Sequence, residues 1–96
     1  MKASEIFRSH RAEIRRVVEQ CGARNPRVFG SVLSGEDMEG SDLDLLVDPT
    51  PDTTLLDIAR MQSRLQALLG VPVDVITPNA LPASFRERVL AEAEPV

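Results

Sequence analysis

The segment from Val28 to Pro49 constrains the fold most, because it has the pattern of a strand, a tight turn, a loop and a second strand. Gly30-Ser31 follows a short apolar run and has the residue types of a sharp turn. From Asp42 to Val47, polar and apolar residues first alternate, which is typical of a β-strand. Side chains on a strand alternate between two faces, so Asp42 and Asp44 are predicted to share one face, with their apolar neighbours on the other.

These two carboxylates define a candidate metal site. Along a strand they are about 6.5 Å apart, and their side chains can converge on a pair of divalent ions about 3.5–4 Å apart. An isolated Asp-x-Asp pattern also occurs on the solvent-facing side of antiparallel sheets. The acidic pair alone therefore leaves a metal site and a solvated strand face as alternatives.

The spacing upstream of the pair is more specific. Ten residues, Val32 to Ser41, separate Gly30-Ser31 from the acids, which gives a Gly-Ser-x10-Asp-x-Asp pattern. This pattern resembles the signature of the polymerase-beta-like nucleotidyltransferase superfamily, and the short chain is most similar to the minimal nucleotidyltransferases that act as antitoxins to HEPN-domain toxins. The resemblance implies that Gly30 and Ser31 hold a nucleoside triphosphate and that Asp42 and Asp44 hold magnesium. A glycine lets the backbone approach a phosphate, and Ser31 can begin a short helix whose N–H groups face an anion.

A third carboxylate, Asp74, lies within the otherwise apolar run Val71 to Thr77, which alternates as a strand. A charge buried there without a partner would be costly. Placed beside the strand of Asp42 and Asp44, Asp74 would reach the same ions, and the resemblance implies a third acid on a following strand. The alternative is that Asp74 lies on the exposed face of an edge strand.

The chain departs from the family that it resembles directly after the glycine turn. Family members commonly carry arginines there, whereas this chain has Val32, Leu33 and Ser34. Positive charge for the triphosphate or for a partner must then come from elsewhere in the chain or be absent. Val32 and Leu33 are candidates either to pack against a partner protein or to fill the core beneath a short helix after Gly30.

Helices are predicted at about 4–21, with Ser4 as N-cap, at 54–69, capped by Asp52 or Thr53 and ended by Gly70, and at 83–94. Strands are predicted at 27–30, after a break at Asn25-Pro26, and at 42–47 and 71–77. Together they predict an α/β (α+β) fold, a small mixed β-sheet with helices packed on one face. The resemblance identifies this fold with the polymerase-beta-like nucleotidyltransferase palm. Residues 1–96 are predicted to form a single domain without a separate acceptor-binding lobe. The predicted inward positions of the three helices are Phe7, Ile14, Val17, Val18, Cys21, Leu55, Ile58, Ala59, Leu65, Leu68, Leu69, Phe85, Val89 and Leu90.

Composition and charge limit the kinds of ligand that the chain is predicted to bind. The net charge is −4, and eight acids but no basic residue lie between Val28 and Ala59. Such a field attracts divalent cations, so ATP is predicted to arrive as its magnesium complex. Direct nucleic-acid binding is not predicted, because the chain is acidic and has no Trp or Tyr for base stacking.

Other classes of site and location are also constrained. A single Cys21 and a single His10 exclude a Cys-pair zinc site and a histidine triad. His10 is predicted at a surface or flanking position and Cys21 at a helix end. No apolar run approaches ~20 residues and no signal-peptide pattern is visible, which predicts a cytoplasmic protein without membrane contact.

The resemblance implies a nucleotidyltransferase that uses ATP and two magnesium ions to move a nucleoside monophosphate onto a hydroxyl group. Asp42 and Asp44 would hold both ions, and Asp74 would ligate the second. The implied acceptor is a tyrosine of a partner HEPN ribonuclease toxin, with which the chain would form a hetero-oligomer. The alternative is an antitoxin with a decayed site that neutralises its partner by binding alone. A small-molecule nucleotidyltransferase is disfavoured, because that activity usually needs an added acceptor-binding domain.

Overall fold

The computed structural model describes residues 2–34 and 42–96. The loop predicted after Ser34, with its turn residues Gly35, Gly40 and Ser41, lies outside these residues. In chain order the elements are α1 (Ala3–Ser9), α2 (Arg11–Gln20), β1 (Ala23–Phe29), α3 (Ser31–Ser34), β2 (Leu43–Pro49), α4 (Leu55–Leu69), β3 (Val73–Ile76), a 3-10 turn (Pro78–Ala80), α5 (Arg86–Glu92) and β4 (Glu94–Pro95).

The described strands form one sheet in the order β3-β2-β1-β4. β1 pairs antiparallel with β2 and with β4, whereas β2 and β3 are parallel. Parallel neighbours need a crossover connection, and α4 provides it between β2 and β3. The predicted mixed sheet is therefore confirmed.

One face of this sheet carries the hydrophobic core. Leu43, Leu45 and Val47 alternate along β2 onto that face and are fully buried. The same core includes buried side chains of α1, α2 and α4, among them Phe7, Ile14, Val18, Met61 and Leu65. The prediction of helices packed on one face is confirmed for α1, α2 and α4, and β2 presents Asp44, Leu46 and Asp48 on the other face.

The predicted helix over 4–21 is two helices that meet at His10. The His10 backbone N–H donates to the Phe7 carbonyl, three residues back, at 3.3 Å. Its ring Nδ1 lies 2.9 Å from the Ile6 carbonyl oxygen, which is the usual helical partner of that N–H. The imidazole thus replaces a backbone hydrogen bond at the break. The first helix begins after Lys2, not at Ser4 as predicted, and Lys2 N–H donates to the Glu5 carboxylate.

Asn25-Pro26 was predicted to break the chain before a strand at 27–30, and this is wrong. β1 begins at Ala23 and contains these two residues as a register shift between Arg24 and Arg27. Asn25 takes φ +52°, a left-handed conformation that asparagine tolerates. A bulge of this kind lets a strand contain a proline, because the unpaired residues need no ladder hydrogen bond.

The bulge is fixed by the buried Arg27 side chain. Its Nη1 donates to the Asn25 carbonyl at 2.7 Å, and its Nη2 donates to Asp48 Oδ1 at 3.0 Å. Asn25 Nδ2 donates to the other oxygen of Asp48 at 3.0 Å. The hydrogen bond from Arg27 is the main reason that the pKa of Asp48 lies below its usual range.

This pKa gives a pH-dependent prediction for Asp48→Asn. Because the folded-state pKa is lowered, ionised Asp48 stabilises the fold above its unfolded pKa of about 4, and this contribution is lost as the pH falls further. At pH 7 the variant should melt roughly 2–4 °C below the unsubstituted protein. Thermal unfolding at pH 7 and pH 3 should show the difference shrinking in acid, with Asp52→Asn as an exposed control. An equal difference at both pH values would contradict the assignment.

Helix α4 is capped one residue later than predicted. Thr54, in place of Asp52 or Thr53, is the N-cap: its Oγ1 accepts from Asp57 N–H at 3.1 Å, and the Asp57 carboxylate accepts from Thr54 N–H at 2.9 Å. Gly70 ends the helix at φ +71°, as predicted.

Several predicted inward positions are wrong. Met61, Leu65 and Leu69, spaced four residues apart, form the buried stripe of α4, and the side chains that lie off this stripe remain in solvent. The residues predicted inward but found exposed are Leu55, Ala59, Leu68, Phe85 and Leu90. The predicted stripe of the first helical segment, Phe7, Ile14, Val17, Val18 and Cys21, is buried throughout.

The C-terminal segment contains a strand that was not predicted. Helix α5 ends at Glu92, and Glu94–Pro95 then pairs with β1. Arg11 donates to the Pro95 carbonyl and Arg15 to the Val96 carbonyl, both at 3.0 Å. These bonds explain why the chain leaves the helix before residue 94. No helix within residues 2–34 and 42–96 has the length and apolar character to cross a membrane.

Candidate active site

A glycine turn connects the end of β1 to the short helix α3. Gly30 has φ +80°, and Leu33 N–H donates to its carbonyl at 3.0 Å. The turn and the short helix beginning at Ser31 were both predicted from the sequence. A Cβ at position 30 would lie 2.6 Å from Asp44 Oδ2, so only glycine leaves room for this carboxylate.

The strand registers bring the candidate residues to one face of the sheet. Asp44 is opposite Phe29 in the antiparallel pair β1/β2 and opposite Asp74 in the parallel pair β2/β3. Adjacent strands lie about 4.8 Å apart. Asp44 is half-buried, Asp74 is exposed, and the exposed Asp42 directly precedes β2. Asp74 lies next to Asp44, as expected of a metal ligand, and it is also exposed on β3, an edge strand of the sheet. The two positions that the sequence offered as alternatives for Asp74 are therefore compatible.

The two exposed carboxylates act electrostatically on Asp44. The pKa of Asp44 is raised, mainly by burial and then by the negative charges of Asp74 and Asp42. A bound cation would relieve this repulsion, and carboxylate oxygens are the ligands that magnesium prefers. Within residues 2–34 and 42–96, however, no three acidic, histidine or cysteine side chains are close enough to form a closed metal cluster. The donor chemistry fits magnesium, while the side chains stand apart.

The apolar residues after the turn belong to the core. Val32 is 3% exposed, and Leu33 packs against the same hydrophobic cluster. The suggestion that Val32 packs against a partner is therefore wrong, and the alternative of core filling beneath α3 is correct. An arginine at position 32 would place its guanidinium in this core, where it would need a partner.

Sequence reasoning missed a cavity that begins at the same turn. It has a volume of about 370 Å³ and is lined by Phe29, Gly30, Phe85, Arg88, Val89 and Glu92. The missing arginines after Gly30-Ser31 indicated that a cation must come from elsewhere, but no local pattern pointed to Arg88. Only the packing of α5 beside the end of β1 brings that arginine near Gly30.

A glycine turn placed against a strand carboxylate, with a second acid on the adjacent parallel strand, is the arrangement expected of a nucleotidyltransferase. Residues 11–96 match the family described as Nucleotidyltransferase domain. This chain belongs to that family and is a nucleotidyltransferase.

Individual relatives agree with this assignment. The chain is 38% identical over 87 residues to the protein adenylyltransferase MntA of Thermococcus cleftensis. The aligned region covers 91% of this chain and 85% of that protein. It is 45% identical to a minimal nucleotidyltransferase of known structure, with a TM-score of 0.85 and coverage of 97% and 95% of the two chains. A toxin-antitoxin structure with AMP-PNP is 16% identical, with a TM-score of 0.73 and coverage of 88% of this chain and 69% of that one. This last similarity concerns the fold alone.

Proposed function

We propose that this nucleotidyltransferase is an antitoxin that uses ATP and magnesium to adenylylate a tyrosine of a partner HEPN toxin. The observation that carries the proposal is the position of Asp44, fixed by Gly30 on one side and paired in register with Asp74 on the other. The similarity to the adenylyltransferase MntA, which covers most of both chains, supports transfer of AMP.

Each site residue has a role in this proposal. The backbone of Gly30 and the side chain of Ser31 hold the β- and γ-phosphates at the turn. Asp42, Asp44 and Asp74 would hold two magnesium ions, which when bound neutralise the triphosphate and lower the pKa of the acceptor hydroxyl.

The transfer exchanges a phosphoanhydride bond of ATP for a phosphoester bond to the acceptor. The acceptor oxygen forms a bond to the α-phosphorus of ATP, the bond from that phosphorus to the bridging oxygen breaks, and pyrophosphate leaves. The exposed Asp74 carboxylate accepts the hydroxyl proton. Its position at the open edge of the sheet lets a second protein approach it.

The acceptor must belong to another molecule. This chain contains no tyrosine, so it offers no tyrosine hydroxyl of its own. We therefore infer a hetero-oligomer in which the partner presents its tyrosine at the face that carries Asp44 and Asp74. We also retain the predictions of a single domain over residues 1–96, a cytoplasmic location and no direct contact with nucleic acid or membrane.

Label transfer tests the proposal directly. The purified protein is incubated with magnesium, ATP labelled at the α-phosphate and the protein encoded by the neighbouring gene. Label should appear on a tyrosine of that partner, and Asp42→Ala/Asp44→Ala should abolish the transfer. Label on this chain alone, or transfer that survives the double substitution, would refute the proposal. A stable complex without label would instead establish the alternative, neutralisation by binding.

A further inference from the structure

The cavity between the end of β1 and α5 adjoins the proposed phosphate site. Gly30 lines the cavity, and its lack of a side chain also leaves room for the Asp44 carboxylate. Phe29, another lining residue, is opposite Asp44 in the β1/β2 register, so both lie on the same face of the sheet. If the phosphates of a nucleotide lie at Gly30, its base end can therefore reach this cavity.

The size and chemistry of the cavity fit the base end of a nucleotide. Its volume of about 370 Å³ lies at the lower end of the range for small-molecule pockets, about 300–1,000 Å³. Apolar atoms form most of its lining surface, and Phe85 is 44% exposed beside it. Burial of a flat aromatic ligand against this phenylalanine would remove apolar surface from water and add stacking.

Two charged residues of the described chain, Arg88 and Glu92, line the cavity and form a weak ion pair. Arg88 Nε is 3.4 Å from Glu92 Oε1, and the two side chains are 78% and 65% exposed. The arginine precedes the acid by four residues, which is the less favourable order in a helix. Solvent also screens such a pair. A phosphate can therefore replace Glu92 as the partner of Arg88 at little cost.

We propose that this cavity binds the base of the nucleoside triphosphate, with Phe85 stacking against the base and Arg88 contacting the phosphates. The proposal rests on the nucleotide site of the proposed function and adds the residues that recognise the rest of the ligand. Arg88 then supplies the positive charge that Val32, Leu33 and Ser34 do not.

Tryptophan fluorescence gives the first test. Because the chain has no Trp or Tyr, Phe85→Trp introduces a single emitter while keeping an aromatic ring in place. Magnesium with ATP should quench this emission, and magnesium with inorganic triphosphate should not. Leu55→Trp, at an exposed position on the helix that covers the opposite face of the sheet, is the control and should respond to neither ligand.

Affinity measurements separate the base from the phosphates. By calorimetry, Phe85→Ala should weaken magnesium-ATP binding about 10-fold and leave magnesium-triphosphate binding unchanged. Arg88→Ala should weaken the binding of both ligands about 10-fold. Arg60→Ala, an equal loss of charge on α4, should change the affinity for neither ligand. Glu92→Gln should strengthen the binding of both ligands about 2-fold, because it removes the ion-pair partner of Arg88. A purely structural ion pair would give no such gain.

The outcomes distinguish this inference from the proposed function. If the unsubstituted protein binds neither ligand, the nucleotide site itself is refuted. If it binds both and Phe85→Ala has no effect on ATP, the base lies elsewhere and this inference is overturned, while the proposed function survives. Circular dichroism of each variant verifies that the fold is retained.

Discussion

Asp44→Asn should reduce adenylyl transfer more than about 1,000-fold, equivalent to about 4 kcal/mol in the activation free energy. The substitution removes a charge that lies between Gly30 and Asp74, where the proposed ions bind. The metal-free variant should nevertheless be as stable as the unsubstituted protein or more so. Burial and the neighbouring acids raise the pKa of Asp44, so its ionised form opposes folding at neutral pH.

The expected gain in stability is about 0.5 kcal/mol, because water around the half-exposed carboxylate screens the repulsion. Such a gain raises the melting temperature by about 2–4 °C. Transfer assays with magnesium measure the loss of activity, and thermal melts in EDTA measure the stability of the metal-free protein. Asp52→Asn, an equal change of charge beyond the end of β2, should leave activity intact. A clear loss of stability in the Asp44 variant would mean that this aspartate serves the fold.

Gly30→Ala should abolish magnesium-ATP binding, because the new methyl group would clash with the Asp44 carboxylate and displace it. A separation of 2.6 Å between the new Cβ and Asp44 Oδ2 is too short to persist, so that side chain must move. The left-handed backbone adds a cost of about 1–2 kcal/mol. The clashing atom is the end of a side chain that can rotate, so we expect a total loss of about 1.5–3 kcal/mol in the free energy of unfolding.

Gly22→Ala is a closely matched control for the backbone. Gly22 has φ +87°, close to the +80° of Gly30, but a Cβ there meets nothing within 4 Å among the described residues. It should lose about 1–2 kcal/mol in stability and keep its affinity for ATP, as measured by calorimetry. In the Asp44→Ala background the cost of Gly30→Ala should fall to that of Gly22→Ala, which a double-mutant cycle measures. Equal costs in both backgrounds would show that the two residues do not interact.

The central part of the site could be predicted from sequence because its residues are close in the chain. The turn at Gly30, the short helix at Ser31 and the alternation around Asp44 all depend on local backbone preferences, and the structure agrees with each of them. The sequence also suggested that Asp74 lies beside the strand of Asp44 in a mixed sheet, and the register of β2 and β3 agrees. The parallel direction of this pair was not predicted. The roles of these residues remain predictions, which the substitutions above test.

The remaining features depend on contacts between distant residues. Helix α4 contains more leucines than one buried face can hold, so its pattern did not decide between the stripe of Met61 and the exposed Leu55 and Leu68. The C-terminal strand is two residues long, and only its pairing with β1 defines it. The approach of Arg88 to Gly30 likewise needs the whole fold, because no spacing in the sequence relates the two positions.

The pairing of β1 with β4 has a consequence for the order of folding. The hairpin-like pair β1/β2 joins segments that are near in sequence, whereas Arg27 and Val28 meet Pro95 and Glu94 from near the opposite end of the chain. Closing so long a loop costs entropy and slows folding. During synthesis the central strands can therefore associate early, while α5 and β4 can be added only after residues 86–95 have emerged from the ribosome.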